Sequence, residues 1–236
     1  MNKIVYIAEF DQDVDDIVTA HWLHKNNLLF GVVLDPLPKN KEGWERVKQC
    51  ASLGINIFNE IPISTNIIIV GGGFEKLSRH VEDNHLDTLI ANGGFVGDNL
   101  NKFPLKKFKG KNEVRTFNFN IDVKSTDKVL RSSNIDNIYL IGKNVCHSIK
   151  NTRLSIWKDE QELLDVYDIN ESKRLHDLLA AKEGLKLAGV INEESFLNYQ
   201  EVYPYNLGLN GNMTLWGSKK EQTEYHKTIS AINWKL

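Results

Sequence analysis

The sequence predicts an α/β protein built on an open, mostly parallel β-sheet flanked by helices. Three observations point there. Asn66–Val70 (NIIIV) is short, branched and uniformly apolar, as a strand covered on both faces must be. Runs of this kind alternate with stretches of helical periodicity, the pattern of repeated βα units. Across 236 residues there is no internal repeat, low-complexity tract or Pro/Gly/Ser linker long enough to divide the chain, so residues 1–236 read as one domain.

In chain order, Ile4–Ile7 reads as a first buried strand. Asp15–Lys25 follows as a helix with Ile17, Ala20 and Leu23/His24 at helical spacing. Leu28–Leu34 (LLFGVVL) is a second strand, and Lys41–Ser52 a helix expected to turn Trp44, Val47 and Ala51 inward. Thr88–Ala91 and Ile138–Ile141 (IYLI) are further strands, Leu175–Ala188 is a helix, and Met213–Trp216 a late strand. The lysine-rich run Lys102–Lys111 (KFPLKKFKGK) interrupts this pattern. It reads either as a solvated, mobile loop or as a basic lid that contacts an anion.

Composition removes several classes of function. With 41% hydrophobic and 25% charged residues, the chain has the make-up of a globular protein able to bury a core. Lysine and arginine number 29 against 31 acids, a formal net charge of −2, so there is no global electrostatic case for binding nucleic acid or an anionic membrane. Two cysteines, Cys50 and Cys146, lack CxxC spacing and suit a reducing cytoplasm better than a disulfide framework or structural zinc. The opening MNKIVYIAEFDQD reaches acidic residues too soon for a signal peptide or a membrane span. The expected partner is a small molecule, and a homo-oligomer is left open.

The densest functional signal is Glu9-Phe-Asp-Gln-Asp-Val-Asp-Asp16. Five carboxylates fall within eight residues, and no Lys or Arg occurs between Lys3 and Lys25. They stand where an apolar strand gives way to a helix, the edge at which open α/β sheets hold ligands. A helix N-terminus stabilises an acid by roughly 0.3–1 kcal/mol, enough for one or two but not five. Two carboxylates about 4 Å apart repel by about 4 kcal/mol at an effective dielectric of about 20. Converging acids therefore need a counter-charge, and a hard divalent cation with oxygen ligands, Ca²⁺ or Mg²⁺, supplies it. The plainer alternative is a solvated acidic loop with Asp15 capping the helix. An EF-hand does not fit, since Asp16 and Trp22 stand where it needs Gly and Glu. Asp11-Gln-Asp13 after an apolar strand also resembles the nucleophile–acid pair of haloacid-dehalogenase-like phosphatases, although Asp15 stands where that family carries Thr or Val.

Segments in order along the chain together resemble the nucleoside hydrolase family (inosine-uridine preferring type), as a shortened and divergent member. Glu9–Asp16 is similar to its opening DxDPGxDD, with Glu9 on the first Asp, Asp11 on the second, Asp15 and Asp16 on the closing pair, and Gln12-Asp13 in place of Pro-Gly. Ile68–Phe74 (IIVGGGF) resembles the apolar strand leading into Thr-Gly-Gly, where the backbone carbonyl before the two glycines, here that of Gly71, ligates the metal. Asn92-Gly-Gly94 with Gly97-Asp-Asn99, and Thr116-Phe-Asn118 with Asp122, are similar to segments whose asparagines contact ribose. Leu175-His176-Asp177-Leu178 resembles a His-Asp-Pro at a helix head, and Asn144-Val-Cys-His147 an Asp-Val-Thr-His run after a strand, with His147 read first as structural. Asp35 is the candidate where the family offers an Asn to the ribose.

The resemblance implies a Rossmann-like fold and a calcium-dependent N-ribohydrolase that splits the N-glycosidic bond of a nucleoside or related ribosyl compound, in nucleoside salvage. It implies Asp11, Asp16, Asp177 and the Gly71 carbonyl as Ca²⁺ ligands, with Asp11 also the general base for the attacking water. Asp15 then meets the 2′-hydroxyl, Asn99 and Asn118 fix the sugar, and His176 lies beside the leaving base as acid or contact group. The chemistry is coherent: cleavage develops positive charge on the ribose, a divalent cation orients and acidifies a water, and imidazole titrates near neutral pH. The chain departs from the family at Thr116, where a Glu usually grips the 5′-hydroxyl. A neutral residue there, preceded by Arg115 and the basic run 102–111, could admit a 5′-phosphate. A ribose-binding module without catalysis and a Mg²⁺-dependent phosphatase are the alternatives from other classes.

Overall fold

The computed structural model describes residues 3–12, 14–97, 101, 104–148, 155–170, 172–203, 212–213 and 228–235. The strands are β1 (Ile4–Ala8), β2 (Leu29–Leu34), β3 (Ile57–Phe58), β4 (Ile67–Val70), β5 (Leu86–Ala91), β6 (Val114–Arg115), β7 (Ile135–Leu140), β8 (Leu197–Val202), β9 (Asn212–Met213) and β10 (Thr228–Trp234). Eight of them form one sheet in the order β3-β2-β1-β4-β5-β7-β10-β8, while β6 and β9 pair separately and antiparallel. Within the large sheet every neighbouring pair is parallel except β10 with β8. This is the α/β class expected from the sequence.

The helices are α1 (Asp15–Lys25), α2 (Lys41–Ser52), α3 (Glu75–Asp83), α4 (Phe117–Ile121), α5 (Val123–Arg131), α6 (Lys143–Cys146), α7 (Gln161–Val166) and α8 (His176–Leu187). They cover both faces of the sheet. In β1 all five residues are buried, Ile4, Tyr6 and Ala8 in one core layer and Val5 and Ile7 in the other. Helices α1 and α8 share the first layer, while α3 and α5 form the second. A strand buried on both faces has no polar alternation, which is why these runs were legible. None of the helices among the described residues is long and apolar enough to cross a membrane. Both thiols, Cys50 and Cys146, are free and buried.

The departures from expectation have local causes. Helix α2 forms over the expected residues but turns Gly43 and Cys50 inward, leaving Trp44 45% exposed and Ala51 exposed. A Cβ on Gly43 would meet Asp11 Oδ1 at 2.4 Å, so the helix approaches the acidic loop through its glycine face. Helices α3 and α5 were not anticipated. Ser78, Ser125 and Thr126 occupy buried positions on them, and Ser78 Oγ lies 3.2 Å from Ser125 Oγ, so small polar residues interrupt the apolar period where the helices meet. Strands β8 and β10 were missed because the antiparallel edge of the sheet is half-covered and reads as mixed sequence, LNYQEV and TISAINW. Of the late strand expected at Met213–Trp216, Met213 pairs with β6 as part of β9, and 214–216 lie outside the described residues.

Helix α8 comes close to the sheet because Gly184 lets it. A Cβ there would sit 2.3 Å from Ile90 Cγ2 on β5. Gly184→Ala should therefore destabilise the protein by about 1–3 kcal/mol despite alanine's better helix propensity, and Ile90→Ala in the same chain should recover part of it. Urea denaturation of the three variants reads both effects; a Gly184→Ala protein as stable as the parent would refute the close approach.

Candidate functional site

Strand order reverses at β1: β2 and β3 lie to one side, and β4 with the rest of the sheet to the other. Such a switch point opens a crevice beyond the carboxyl ends of the two central strands. The acids that follow β1 and the glycines that follow β4 form its walls. A cleft of about 220 Å³ is lined there by the carboxylates of Glu9, Asp15, Asp16 and Asp177 together with Gly71. Asn92, Asn118, Phe117 and His176 complete one side, and among the described residues no lysine or arginine lines it.

Each acid is held by a specific donor. The Tyr6 hydroxyl, buried in β1, donates to Asp16 Oδ1 at 2.6 Å, and the Glu9 N–H donates to the same oxygen at 3.1 Å. Asp15 Oδ2 accepts from the Asp177 N–H at 3.0 Å. That N–H belongs to the first turn of α8, where amides lack intrahelical acceptors, so a carboxylate of α1 caps the neighbouring helix. Asp177 Oδ1 accepts from Asn92 Nδ2 at 2.6 Å, and Asn118 Nδ2 donates to the Asn92 carbonyl at 2.9 Å. One network thus joins α1, α8, the end of β5 and α4.

Burial pushes the Asp16 carboxyl well above the usual carboxylate range; the Tyr6 hydroxyl and Glu9 N–H oppose this, while the charges of Asp15 and Glu9 add to it. The Tyr6 hydroxyl is raised as well, by burial first and then by Asp16 and Asp177. Gly71 is required by the same contact, since a Cβ on it would fall 2.1 Å from the Tyr6 hydroxyl and 2.9 Å from Asp16 Oδ1.

Of the residues singled out from sequence, Asp15, Asp16, Gly71, Asn118, His176 and Asp177 meet at this cleft. Asp11 does not. Its Oδ2 accepts from the Lys39 N–H at 2.7 Å and its Oδ1 from the Asn40 N–H at 3.3 Å, and it lines a neighbouring pocket with Glu9, Lys39 and Arg115. Backbone amides ahead of α2 have captured the carboxylate expected to serve as ligand and base. Asp35 is also engaged elsewhere: its Oδ2 accepts from the Lys76 N–H at 2.8 Å, in the first turn of α3. Asp122 caps α5 through the Lys124 and Ser125 N–H groups. Asn99 and Asp13 lie outside the described residues.

Thr116 sits at the head of α4, buried, and its hydroxyl has no hydrogen-bond partner among the described residues. In the basic run, Phe108 is buried and packs on Phe95 with ring centroids 5.1 Å apart, so the stretch around it is anchored. His147 lies between Phe108 and His176, at 5.6 and 5.2 Å.

Sequence reasoning missed Tyr6, Asn92 as a side-chain partner, and Phe117. Tyr6 reads as one more apolar strand residue, and only its pleat position beneath α1 gives the hydroxyl its role. Phe117 is 54% exposed at the mouth of the cleft, an unusual setting for a large aromatic ring that an apolar pattern does not announce. His85, Asp87 and Asp136 also converge, but all three are exposed, at the opposite ends of β5 and β7, and His85 Nε2 already meets Asp136 Oδ2 at 3.1 Å. An exposed contact of this kind contributes little.

No family model matches the chain. A protein of Aquifex aeolicus (strain VF5), described only as uncharacterized, is 28% identical over 178 residues, 69% of this chain, and the match spans 58% of that relative's length. Among solved structures, the crystal structure of the inosine-uridine preferring nucleoside hydrolase from Bacillus anthracis is similar, with a TM-score of 0.59 over 99% of this chain and 95% of that one, at 12% identity. At that identity the likeness establishes the fold.

The His147 imidazole carries a pH prediction. Burial first, then Lys143, Lys107, His176 and Arg174, pull it down from 6.5 to about 3. Between those values the unfolded chain binds a proton that the folded one refuses, so this group's contribution to stability is lost as pH falls from 6.5 toward 3. His147→Gln removes the group, and its urea midpoint should fall less steeply than the parent's between neutral and mildly acid pH. Parallel curves for the two proteins would contradict the assignment.

Proposed function

We propose that the cleft is the site of a divalent-cation-dependent N-ribohydrolase, with Ca²⁺ as cofactor and a nucleoside or related ribosyl compound as substrate. The observation that carries this reading is the convergence of four carboxylates, from the end of β1, α1 and α8, on a cleft with no lysine or arginine among the described residues that line it. Carboxylate and carbonyl oxygens are the donors a hard cation takes, and the Asp16 carboxyl is raised by burial first and then by the neighbouring charges of Asp15 and Glu9. Asp16, Asp177 and the Gly71 carbonyl would hold the ion. When bound, it supplies a charge that gathers vicinal hydroxyls and lowers the pKa of a water.

The rest is done by the chain. Asp15 positions Asp177 through its N–H and offers its carboxylate to a ribose hydroxyl, while Asn118, steadied by the Asn92 carbonyl, orients the sugar. The acids also provide a negative field for the positive charge that grows on the ribose as the bond to the base breaks. Glu9 lines this cleft, whereas Asp11 is held by Lys39 and Asn40, so Glu9 is the better placed group to take the proton of the attacking water. His176 protonates or contacts the departing base, and the exposed Phe117 ring offers it an apolar face. The phosphatase alternative loses support, since it needs as nucleophile the Asp11 carboxylate that the α2 loop has captured.

Asp16→Asn and Asp177→Ala should each weaken Ca²⁺ binding by at least about tenfold, the loss of one charged ligand contact, and abolish release of free ribose from nucleosides. Asp11→Asn should leave metal binding nearly unchanged. Calorimetry with Ca²⁺ and a reducing-sugar assay over a nucleoside panel decide both points; a metal affinity that falls with Asp11→Asn but not with Asp16→Asn would place the site elsewhere.

His176→Ala should lower kcat more than it raises KM, because its role concerns the leaving base. The deficit should shrink for a riboside with a nitrophenyl group, which departs without protonation. Equal losses on both substrates would reduce His176 to a helix-head residue.

A further inference from the structure

We infer that the pocket adjoining the carboxylate cleft is an anion subsite that takes a phosphate on the 5′ end of the ribosyl substrate, a reading that names the substrate class of the proposed site and rests on it for the identity of the sugar. Three segments distant in sequence bring cations to one imidazole. Lys107 Nζ lies 2.5 Å and Arg174 Nη1 3.2 Å from His147 Nδ1, and Lys143 Nζ lies 3.2 Å from His147 Nε2. Among the described residues none of these three cations pairs with a carboxylate.

The groups repel one another. Burial lowers the Lys143 ammonium, and burial followed by Arg174, Lys143 and Lys111 lowers that of Lys107. A neutral ring with two nitrogens cannot offset three positive charges. A tetrahedral dianion can, since it accepts several charge-assisted hydrogen bonds at once.

The space is suited to it. Of the three cations Lys143 lines a pocket of about 60 Å³, with His147 and Thr116, while Lys107 and Arg174 contact the His147 ring at Nδ1 without lining it; the volume is room for a few waters or one small anion but not for a base. Thr116 is one of the lining residues, and its buried hydroxyl has no partner among the described residues. Arg115, its neighbour in sequence, instead lines the pocket that holds Asp11.

Position then identifies the substituent. The anion pocket and the carboxylate cleft share Asn92, Phe117, Asn118 and His176, so they form one groove with acids at one end and, at the other, Lys143 and the His147 ring that Lys107 and Arg174 contact. A ribose whose vicinal hydroxyls lie among the acids points its 5′ carbon away from them, because the 2′ and 3′ positions and the 5′ arm leave opposite sides of the ring. A 5′-phosphate is the group that reaches the cations.

The test is calorimetry on the full chain in Ca²⁺ with ribose, ribose 5-phosphate and glycerol phosphate. Ribose 5-phosphate should bind about tenfold or more tighter than ribose, the worth of one to two charge-assisted contacts, and the gain should shrink as salt rises. Lys143→Gln should remove most of it. Lys107→Gln, on an exposed turn, should remove part and provides the reading if the first variant fails to fold. Equal binding of ribose and ribose 5-phosphate, or an advantage that survives both substitutions, overturns the inference, as does glycerol phosphate binding as tightly as ribose 5-phosphate. These are binding measurements: a chain that discriminates as expected yet releases no base from any nucleotide would sink the hydrolase reading and leave the subsite standing. A hydrolase indifferent to the 5′-phosphate would do the reverse.

Discussion

In the first strand a tyrosine hydroxyl meets the carboxylate of Asp16 inside the core, at 2.6 Å, and the site is arranged around the need to keep that charge. A buried carboxylate without donors would cost several kcal/mol, so Asp16 takes two, the Tyr6 hydroxyl and the Glu9 amide. Their geometry brings β4 so near that only glycine fits at position 71. The same crowding puts Glu9, Asp15 and Asp177 around the cleft, with Asp15 reaching across to the head of α8. Removing one member would therefore disturb the joint between α1 and α8 as well as the site.

The groove is electrically polarised. Four acids gather where β1 and α1 meet α8, and three cations gather where the basic turn, α6 and the approach to α8 meet. Each cluster alone is unfavourable, because like charges in a partly desolvated pocket repel. Both are tolerated because the surrounding scaffold is rigid: Asn92 and Asn118 hold the middle of the groove, and the Asn144 side chain clamps the Val96 backbone through both of its polar atoms, at 2.7 and 2.8 Å. Clusters of this kind mark where ligands act, since binding supplies the missing counter-charge.

The sheet supplies the rigidity. Parallel strands buried on both faces fix the carboxyl ends of β1, β4 and β5 against one another, and the reversal of strand order at β1 leaves the crevice open. Helices α1 and α8 press on that region through small and apolar residues, Ala180, Ala181 and Gly184 among them.

The fold class, the central strands and the helices α1, α2 and α8 were legible along the chain, because hydrophobic period depends on local pattern and full burial makes that pattern plain. The acidic cluster was legible as well, since five carboxylates without a nearby cation are conspicuous at any resolution of thought. Which of those acids share a cleft was decided by tertiary structure. Asp11 and Asp16 look equivalent along the chain, yet one is captured by the amides ahead of α2 and the other is buried against Tyr6. Lys107, Lys143 and Arg174 are ordinary surface residues in sequence, and only the packing of three separate segments makes them neighbours. Helices α3 and α5 and the strands β8 and β10 stayed hidden for the converse reason: their buried faces carry serine, threonine and other polar residues whose partners lie on distant elements. Local pattern reports what a residue prefers, and the fold decides which preferences meet.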